Sequence, residues 1–217
     1  MITLYGEGRG FRVAWLLEEM GRPYRVRPVD LLDGVEQDTE FLAINPAGFI
    51  PAIVDGDTVM VESIAIMEYL LARYGPGALA PRPDDAAFAT YQQFLHMGEA
   101  GLAGPINAIV ATHILAPEAE RENWTTDWAL GVFKSRLGLV SRQLARTPHI
   151  ASDDFSAADI SVTYALQFAQ RTIGFTFGAT ELDYIERTTA RAGYQRAMDN
   201  FPATKAWVAG LAGSTAT

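Results

Sequence analysis

The sequence predicts an α/β unit of order βαβαββα followed by an all-helical region. Three observations carry this expectation. Short β-prone runs are confined to the first 61 residues, Gly75 to Asp85 (GPGALAPRPDD) gathers glycine and proline without apolar periodicity, and the residues beyond carry helical spacing with almost no strand signal. At 217 residues and 49% hydrophobic, the chain is long enough to bury a sizeable core, and ~100–200 residues per domain accommodates two compact units. Their expected bounds are 1–76 and 86–217, with 77–85 as linker.

Ile2 to Tyr5 is a β-prone run, and about Phe11 to Met20 reads as a helix ending at Gly21. Tyr24 to Val29 makes a second strand. A helix over about Gln37 to Ile44 stops at Asn45-Pro46, because a residue before proline is pushed out of the helical region. Ala52 to Val54, the turn Asp55-Gly56-Asp57 and Val59 to Val61 form an antiparallel hairpin. A helix over Ser63 to Tyr74 follows, with Ile66, Tyr69 and Leu70 on one face.

After the linker, helices are expected over about Ala86 to Leu115 with a break near Pro105, Pro117 to Ala145, Ala157 to Ile173, Glu181 to Ala192 and Pro202 to Leu211. Trp128, Tyr164 and Phe168 are expected in the core, because aromatics at helical spacing usually face inward. Ser156-Ala157-Ala158-Asp159 before an apolar run has the form of a capping box, with Phe155 as its hydrophobic staple.

Lys+Arg 17 against Asp+Glu 26 gives a net charge of -9, which repels phosphate backbones and offers no basic patch for anionic lipid. Nucleic acid and membrane surfaces are therefore not expected as partners. Cys 0 excludes disulfides, a thiolate nucleophile and thiolate metal sites, so any sulfur chemistry must use a substrate's sulfur. The N-terminus MITLYGEGRG lacks a basic region followed by an apolar block, and a cytoplasmic protein is expected. The uncharged run Ala100 to Pro117 is interrupted by glycines, Pro105, Asn107, Thr112 and His113, and reads as a broken buried helix rather than a membrane span.

The densest chemistry lies in Gly48 to Ile66, GFIPAIVDGDTVMVESIAI. Pro51 opens a strand, and one hairpin later Ser63 opens a helix whose unpaired N–H groups and positive dipole end favour a carboxylate, with Glu62 beside it to accept an ammonium. The plainer alternative is that Pro51 starts an edge strand, Ser63 caps a helix and Glu62 faces solvent. His96 and Glu99 share a helix face at i, i+3, which suits a proton relay or a hydrogen-bonded pair, and three scattered histidines with no third ligand speak against a metal.

Asn45-Pro46-Ala47-Gly48-Phe49-Ile50-Pro51, followed at the proper separation by Glu62-Ser63-Ile64-Ala65-Ile66 and later by Phe155 to Ile160, resembles the cytosolic glutathione transferases, whose first domain is thioredoxin-like. The resemblance implies a cis Pro51, Ile50 backbone groups paired with the cysteinyl part of glutathione, and Glu62 with Ser63 holding its γ-glutamyl end. It also implies glutathione as co-substrate without a metal, and a homodimer.

Tyr5, followed four residues later by Arg9-Gly10, is similar to the classes that activate sulfur with a tyrosine. Tyr5 is thus the implied catalytic residue, with Arg9 or a backbone N–H at the first helix's start as helper, and both join the glutathione contacts. Phe49 stands where many relatives place Lys, Gln or Thr near the glycyl carboxylate, and is alternatively an anchor for a second subunit. The electrophile pocket is implied along Tyr91 to Ala100, including His96 and Glu99. Conjugation of glutathione to small hydrophobic electrophiles is the implied reaction. Glutathione-dependent isomerisation or peroxide reduction uses the same thiolate. Glycines at 6, 8 and 10, where an activating hydroxyl often stands, keep a non-catalytic binding module open.

Overall fold

The computed structural model describes residues 1–31, 34–202 and 204–205. It divides into two compact units, Met1–Gly77 joined by the chain from Ala190, and Ala78–Thr189.

In the first unit a four-stranded sheet has the order β2-β1-β3-β4, built from β1 (Ile2–Tyr5), β2 (Tyr24–Arg27), β3 (Ala52–Asp55) and β4 (Thr58–Val61). β1 runs parallel to β2, and β3 is antiparallel to both β1 and β4, with Tyr5 opposite Arg27 on one side and Ala52 on the other. This is the thioredoxin-like arrangement. Helix α1 (Gly10–Glu19) connects the parallel pair and buries every residue from Gly10 to Leu17. Helix α2 (Thr39–Ile44) follows a short 3-10 turn at Val35–Gln37, and its Phe41 packs with Tyr5 and Ala52. Helix α3 spans Ser63–Tyr74, the range its sequence pattern predicts.

The second unit holds α4 (Phe88–Met97), a π-helical segment (Gly98–Ala103), α5 (Gly104–Leu115), α6 (Trp124–Leu144), α7 (Ala157–Ile173) and α8 (Ala179–Thr189). Pro105 stands in the first turn of α5, where a missing N–H costs no helical bond. The expected break thus takes the form of a π segment feeding a new helix. Gly98 permits close packing there, because a Cβ on it would lie 2.2 Å from the Ser161 hydroxyl oxygen of α7. Ser161 in turn donates to the Leu95 carbonyl at 2.8 Å.

Two sequence expectations need correction in this unit. Helix α6 begins at Trp124 rather than Pro117, because Asn123 caps it by accepting from the Thr125 and Thr126 N–H groups while Glu118–Glu120 forms a separate 3-10 turn. Trp128 is 58% exposed and stacks on exposed Trp124, since α6 buries a different face carrying Ala129, Phe133 and Val140. Tyr164 is buried and stacks on half-buried Phe168.

The segment from Ala190 groups with the first unit, whereas the sequence reading assigned 86–217 to one helical domain. Helix α9 (Ala192–Asp199) lies on α1, with Tyr194 edge-on to Phe11 and Trp15 at 5.2 and 4.9 Å. Gly193 permits the approach, because a Cβ there would meet the Glu19 carboxyl carbon at 2.6 Å. Arg191 and Arg196 then pair with Glu19 and Glu18. No helix was expected over 192–199: the expected Glu181 to Ala192 helix ends at Thr189, and α9 follows it as a separate element. The part of the expected Pro202 to Leu211 helix beyond residue 205 lies outside the described residues.

Candidate tripeptide-binding site

Gly6, Gly8 and Gly10 meet Ile50 and Pro51 within the first unit at the end of β1. The chain leaves the sheet through Gly6-Glu7-Gly8-Arg9 and enters α1 at Gly10. Gly6 has φ +85°, and a Cβ on it would lie 2.3 Å from Ile50 Cγ2, so glycine is required for the loop to rest on Ile50. The Gly6 N–H donates to the Arg27 carbonyl at 2.9 Å, while Gly10 and Phe11 N–H groups donate to the Glu7 and Gly8 carbonyls at 2.9 and 3.0 Å. The loop is therefore a closed turn that feeds directly into the helix.

Across from it, the Ile50–Pro51 peptide is cis. Asn45 fixes the approach to that bond, its amide nitrogen donating to the Phe49 carbonyl at 2.7 Å and its amide oxygen accepting from the Ala47 N–H at 3.2 Å. Asp38 secures the base of α2 by accepting from the Phe41 N–H at 3.0 Å and from both terminal nitrogens of Arg27, which hold its carboxyl below the usual carboxylate range. Phe49 itself is 36% exposed.

The third component is the start of α3. Glu62 is exposed and has φ 72°, the only positive-φ residue other than glycine among the described residues. A glutamate held in that region costs ~1–3 kcal/mol, a cost that persists only where the surroundings over-determine it. Ser63 is buried, and its hydroxyl oxygen accepts from Arg12 Nη1 at 3.1 Å. Arg12 is fully buried on α1, so a cation lies beneath the N-terminal turn of α3. Helix dipole and guanidinium act in the same direction, favouring an anion at this end.

Ile50, Pro51, the 6–10 turn, Glu62 and Ser63 all belong to this one unit. Tyr5 ends β1 beside this turn. It is 5% exposed, its ring stacks on Phe41 with centroids 6.0 Å apart, and Ile50 and Val35 pack around the same cluster. The ring thus packs in the core of the first unit. Arg9 stands half-buried in the turn at the N-cap of α1. His96 and Glu99 belong to the second unit, His96 exposed on the last turn of α4 and Glu99 in the π segment that follows.

Sequence reasoning missed Arg12 and Asn45 as parts of the site. Arg12 had a legible signal, a lone cation in the otherwise apolar run Phe11 to Leu17. Asn45 opens the Asn45-to-Pro51 motif, but nothing in that local pattern marks its side chain as the brace of the Phe49 carbonyl.

Known proteins resemble the chain in sequence and in fold. The model of the glutathione S-transferase N-terminal domain matches residues 2–72. Glutathione S-transferase 3 of Zea mays is 32% identical over 154 residues, which cover 68% of this chain and 68% of that protein. The theta class glutathione S-transferase of Xanthomonas axonopodis pv. citri, solved with glutathione bound, superposes with a TM-score of 0.74 at 26% identity, covering 90% of this chain and 96% of that one. A glutathione transferase of Phanerochaete chrysosporium in complex with oxidized glutathione shares the fold with a TM-score of 0.79 at 22% identity, covering 91% and 94%. On its sequence and its fold alike, the chain belongs to the glutathione S-transferase family.

Proposed function

We propose that the protein binds glutathione in the first unit and conjugates it through its sulfur to small hydrophobic electrophiles. The observation that carries this reading is the strained backbone at Glu62 beside a Ser63 hydroxyl held by buried Arg12. An amino-acid end needs an acceptor for its ammonium and donors for its carboxylate, and Glu62 with the start of α3 supplies both. The Ser63 oxygen accepts from Arg12, which leaves its own proton for the carboxylate. Ile50 N–H and C=O, next to the cis Pro51, take the cysteinyl backbone as a short added strand.

This register brings the cysteinyl sulfur to the 6–10 turn. Lowering a thiol pKa from ~8.5 by about 2 units takes ~2.7 kcal/mol of differential interaction. The positive end of the ten-residue α1 and the Arg9 guanidinium together supply that magnitude, since charged hydrogen bonds contribute ~1.5–3 kcal/mol and a helix terminus ~0.3–1. We assign activation to Arg9 and the α1 terminus. Tyr5, packed on Phe41, supports the turn from below. The thiolate then attacks the electrophile, forming a C–S bond while a leaving group departs or an adjacent carbon is protonated.

The working form is a homodimer, with exposed Phe49 as a candidate anchor. Phe49→Ala on a sizing column checks this, and an unchanged elution volume removes Phe49 from the interface. Among the described residues no helix is long and apolar enough to cross a membrane.

Turnover of glutathione with a generic aryl halide tests the function. Saturable conjugate formation above the solution rate is expected. Glutathione binding without turnover on a broad electrophile panel, including peroxides and isomerisable substrates, identifies a non-catalytic module instead.

A further inference from the structure

The Glu7 carboxylate lies between the two glycines that shape the 6–10 turn, and it does not face solvent alone. Its Oε2 accepts from the Thr204 N–H at 2.9 Å and from the Thr204 hydroxyl at 3.0 Å, a contact between residues 197 positions apart. Thr204 is brought there by Phe201, which is fully buried and sits edge-on to Phe11 of α1 at 5.7 Å. Lys205 N–H donates to the Phe201 carbonyl at 2.8 Å, so a helical turn starts at Pro202 and Thr204 occupies its third position. The N–H at that position has no partner within a helix, and here a carboxylate from the other end of the chain supplies one.

The turn is closed by backbone hydrogen bonds, and Glu7 adds the side-chain tie to the segment at Thr204. Gly6 and Gly8 have φ +85° and +56° and carry no side chains to pack. The turn's backbone, however, rests on Ile50, with no room even for a Cβ at Gly6. A displacement of Glu7 therefore moves the surface against which Ile50 is set.

We infer that Glu7 is a positioning residue through which the chain's C-terminal segment latches the 6–10 turn over Ile50 and sets the geometry of the thiol site. The inference rests on the reading of Ile50 as a glutathione-binding residue for its functional consequence, and on the Glu7–Thr204 contact alone for its structural one. Affinity for glutathione is then controlled through Phe201 and Thr204, and anything that withdraws them from α1 and Glu7 lowers it.

The test uses the full chain with Glu7→Ala, Glu7→Gln, Thr204→Pro, which removes both donors, and the double variant Glu7→Ala/Thr204→Pro. Two readouts are taken: hydrogen exchange at the Gly10 and Phe11 amides, which close the turn onto Glu7 and Gly8, and KM for glutathione with its pH profile. Exchange is expected to quicken by about tenfold or more in Glu7→Ala and Thr204→Pro, with a parallel rise in KM, while Glu7→Gln, which keeps an acceptor oxygen, recovers most of both. The double variant is expected to lose no more than either single one, because both remove the same contact. Unchanged exchange in both single variants, or fully additive effects in the double, overturns the latch. Faster exchange with unchanged glutathione KM leaves the latch standing and overturns its link to the site. A wild type that binds no glutathione overturns the functional reading alone, with the exchange data still deciding the latch.

Discussion

Replacing Ser63 by alanine removes one oxygen that has two duties. It accepts from the fully buried Arg12 at 3.1 Å, and in the proposed complex it donates to the α-carboxylate of the γ-glutamyl end. A hydrogen bond to a charged group contributes ~1.5–3 kcal/mol, so glutathione is expected to bind roughly 10- to 150-fold more weakly. On the stability side, a buried donor left without this acceptor costs ~1–3 kcal/mol, offset by about 0.5 from alanine's better helix propensity. For a chain of this size each kcal/mol moves Tm by ~2–4 °C, which places the expected drop between about 1 and 10 °C. The variant thus remains folded at room temperature, and its affinity is measurable by titration calorimetry. Arg12→Met tests the other partner: Ser63 keeps its hydroxyl there but loses the cation beneath it, and a smaller loss of affinity is expected. A folded Ser63→Ala protein that binds glutathione within twofold of wild type refutes the reasoning, because the site would then owe nothing to this oxygen.

Three further outcomes are expected. Asp159 is fully buried and accepts from the Ile150 N–H, the Ser156 N–H and hydroxyl and the Tyr184 hydroxyl at 2.7, 2.8, 3.1 and 3.0 Å; Asp159→Ala orphans these donors at ~1–3 kcal/mol each and is expected to abolish soluble protein. Asp159→Asn, which keeps one acceptor, is expected to fall between, and a folded alanine variant with selectively lost glutathione binding contradicts this structural role. Arg27 holds the Asp38 carboxyl below its ordinary 3.8, so that contribution to stability is complete above this value and is lost as pH falls through the folded-state pKa. Denaturation midpoints taken between about pH 5 and 3 should therefore fall more steeply for wild type than for Asp38→Asn, and parallel slopes argue against the linkage. Finally, Trp128→Ala is expected to change Tm by no more than ~2 °C, since the ring is 58% exposed, and a large drop shows that it packs against something in solution.

Much of the first unit was legible because its elements are punctuated locally. Pro51, the Asp55-Gly56-Asp57 turn and the Ser63 helix start fix strand, hairpin and helix within a few residues of one another, and β3, β4 and α3 lie where those signals put them. The capping box of α7 was readable for the same reason, since Ser156 and Asp159 interact within one turn. What escaped depends on contacts far apart in sequence. Arg12 belongs to the site through Ser63, 51 residues away, and α9 joins the first unit through rings and ion pairs on α1 more than 170 residues away. The packing of the Tyr5 ring was equally hidden: a tyrosine ending a strand has the same local pattern whether or not its ring stacks on a distant residue such as Phe41. Trp128 shows the converse limit, because helical spacing identifies a face without saying that another element covers it.

The most direct test of the account is the pH dependence of thiolate absorbance as glutathione is titrated into wild type, Arg9→Leu and Tyr5→Phe proteins. The account predicts thiolate at neutral pH in the wild type, a shift of its appearance to higher pH in Arg9→Leu, and a near wild-type curve in Tyr5→Phe. Loss of the thiolate in Tyr5→Phe with Arg9→Leu unaffected contradicts the assignment and gives activation to the tyrosine. Bound glutathione with no thiolate at neutral pH in the wild type contradicts the claim that this site prepares sulfur for transfer.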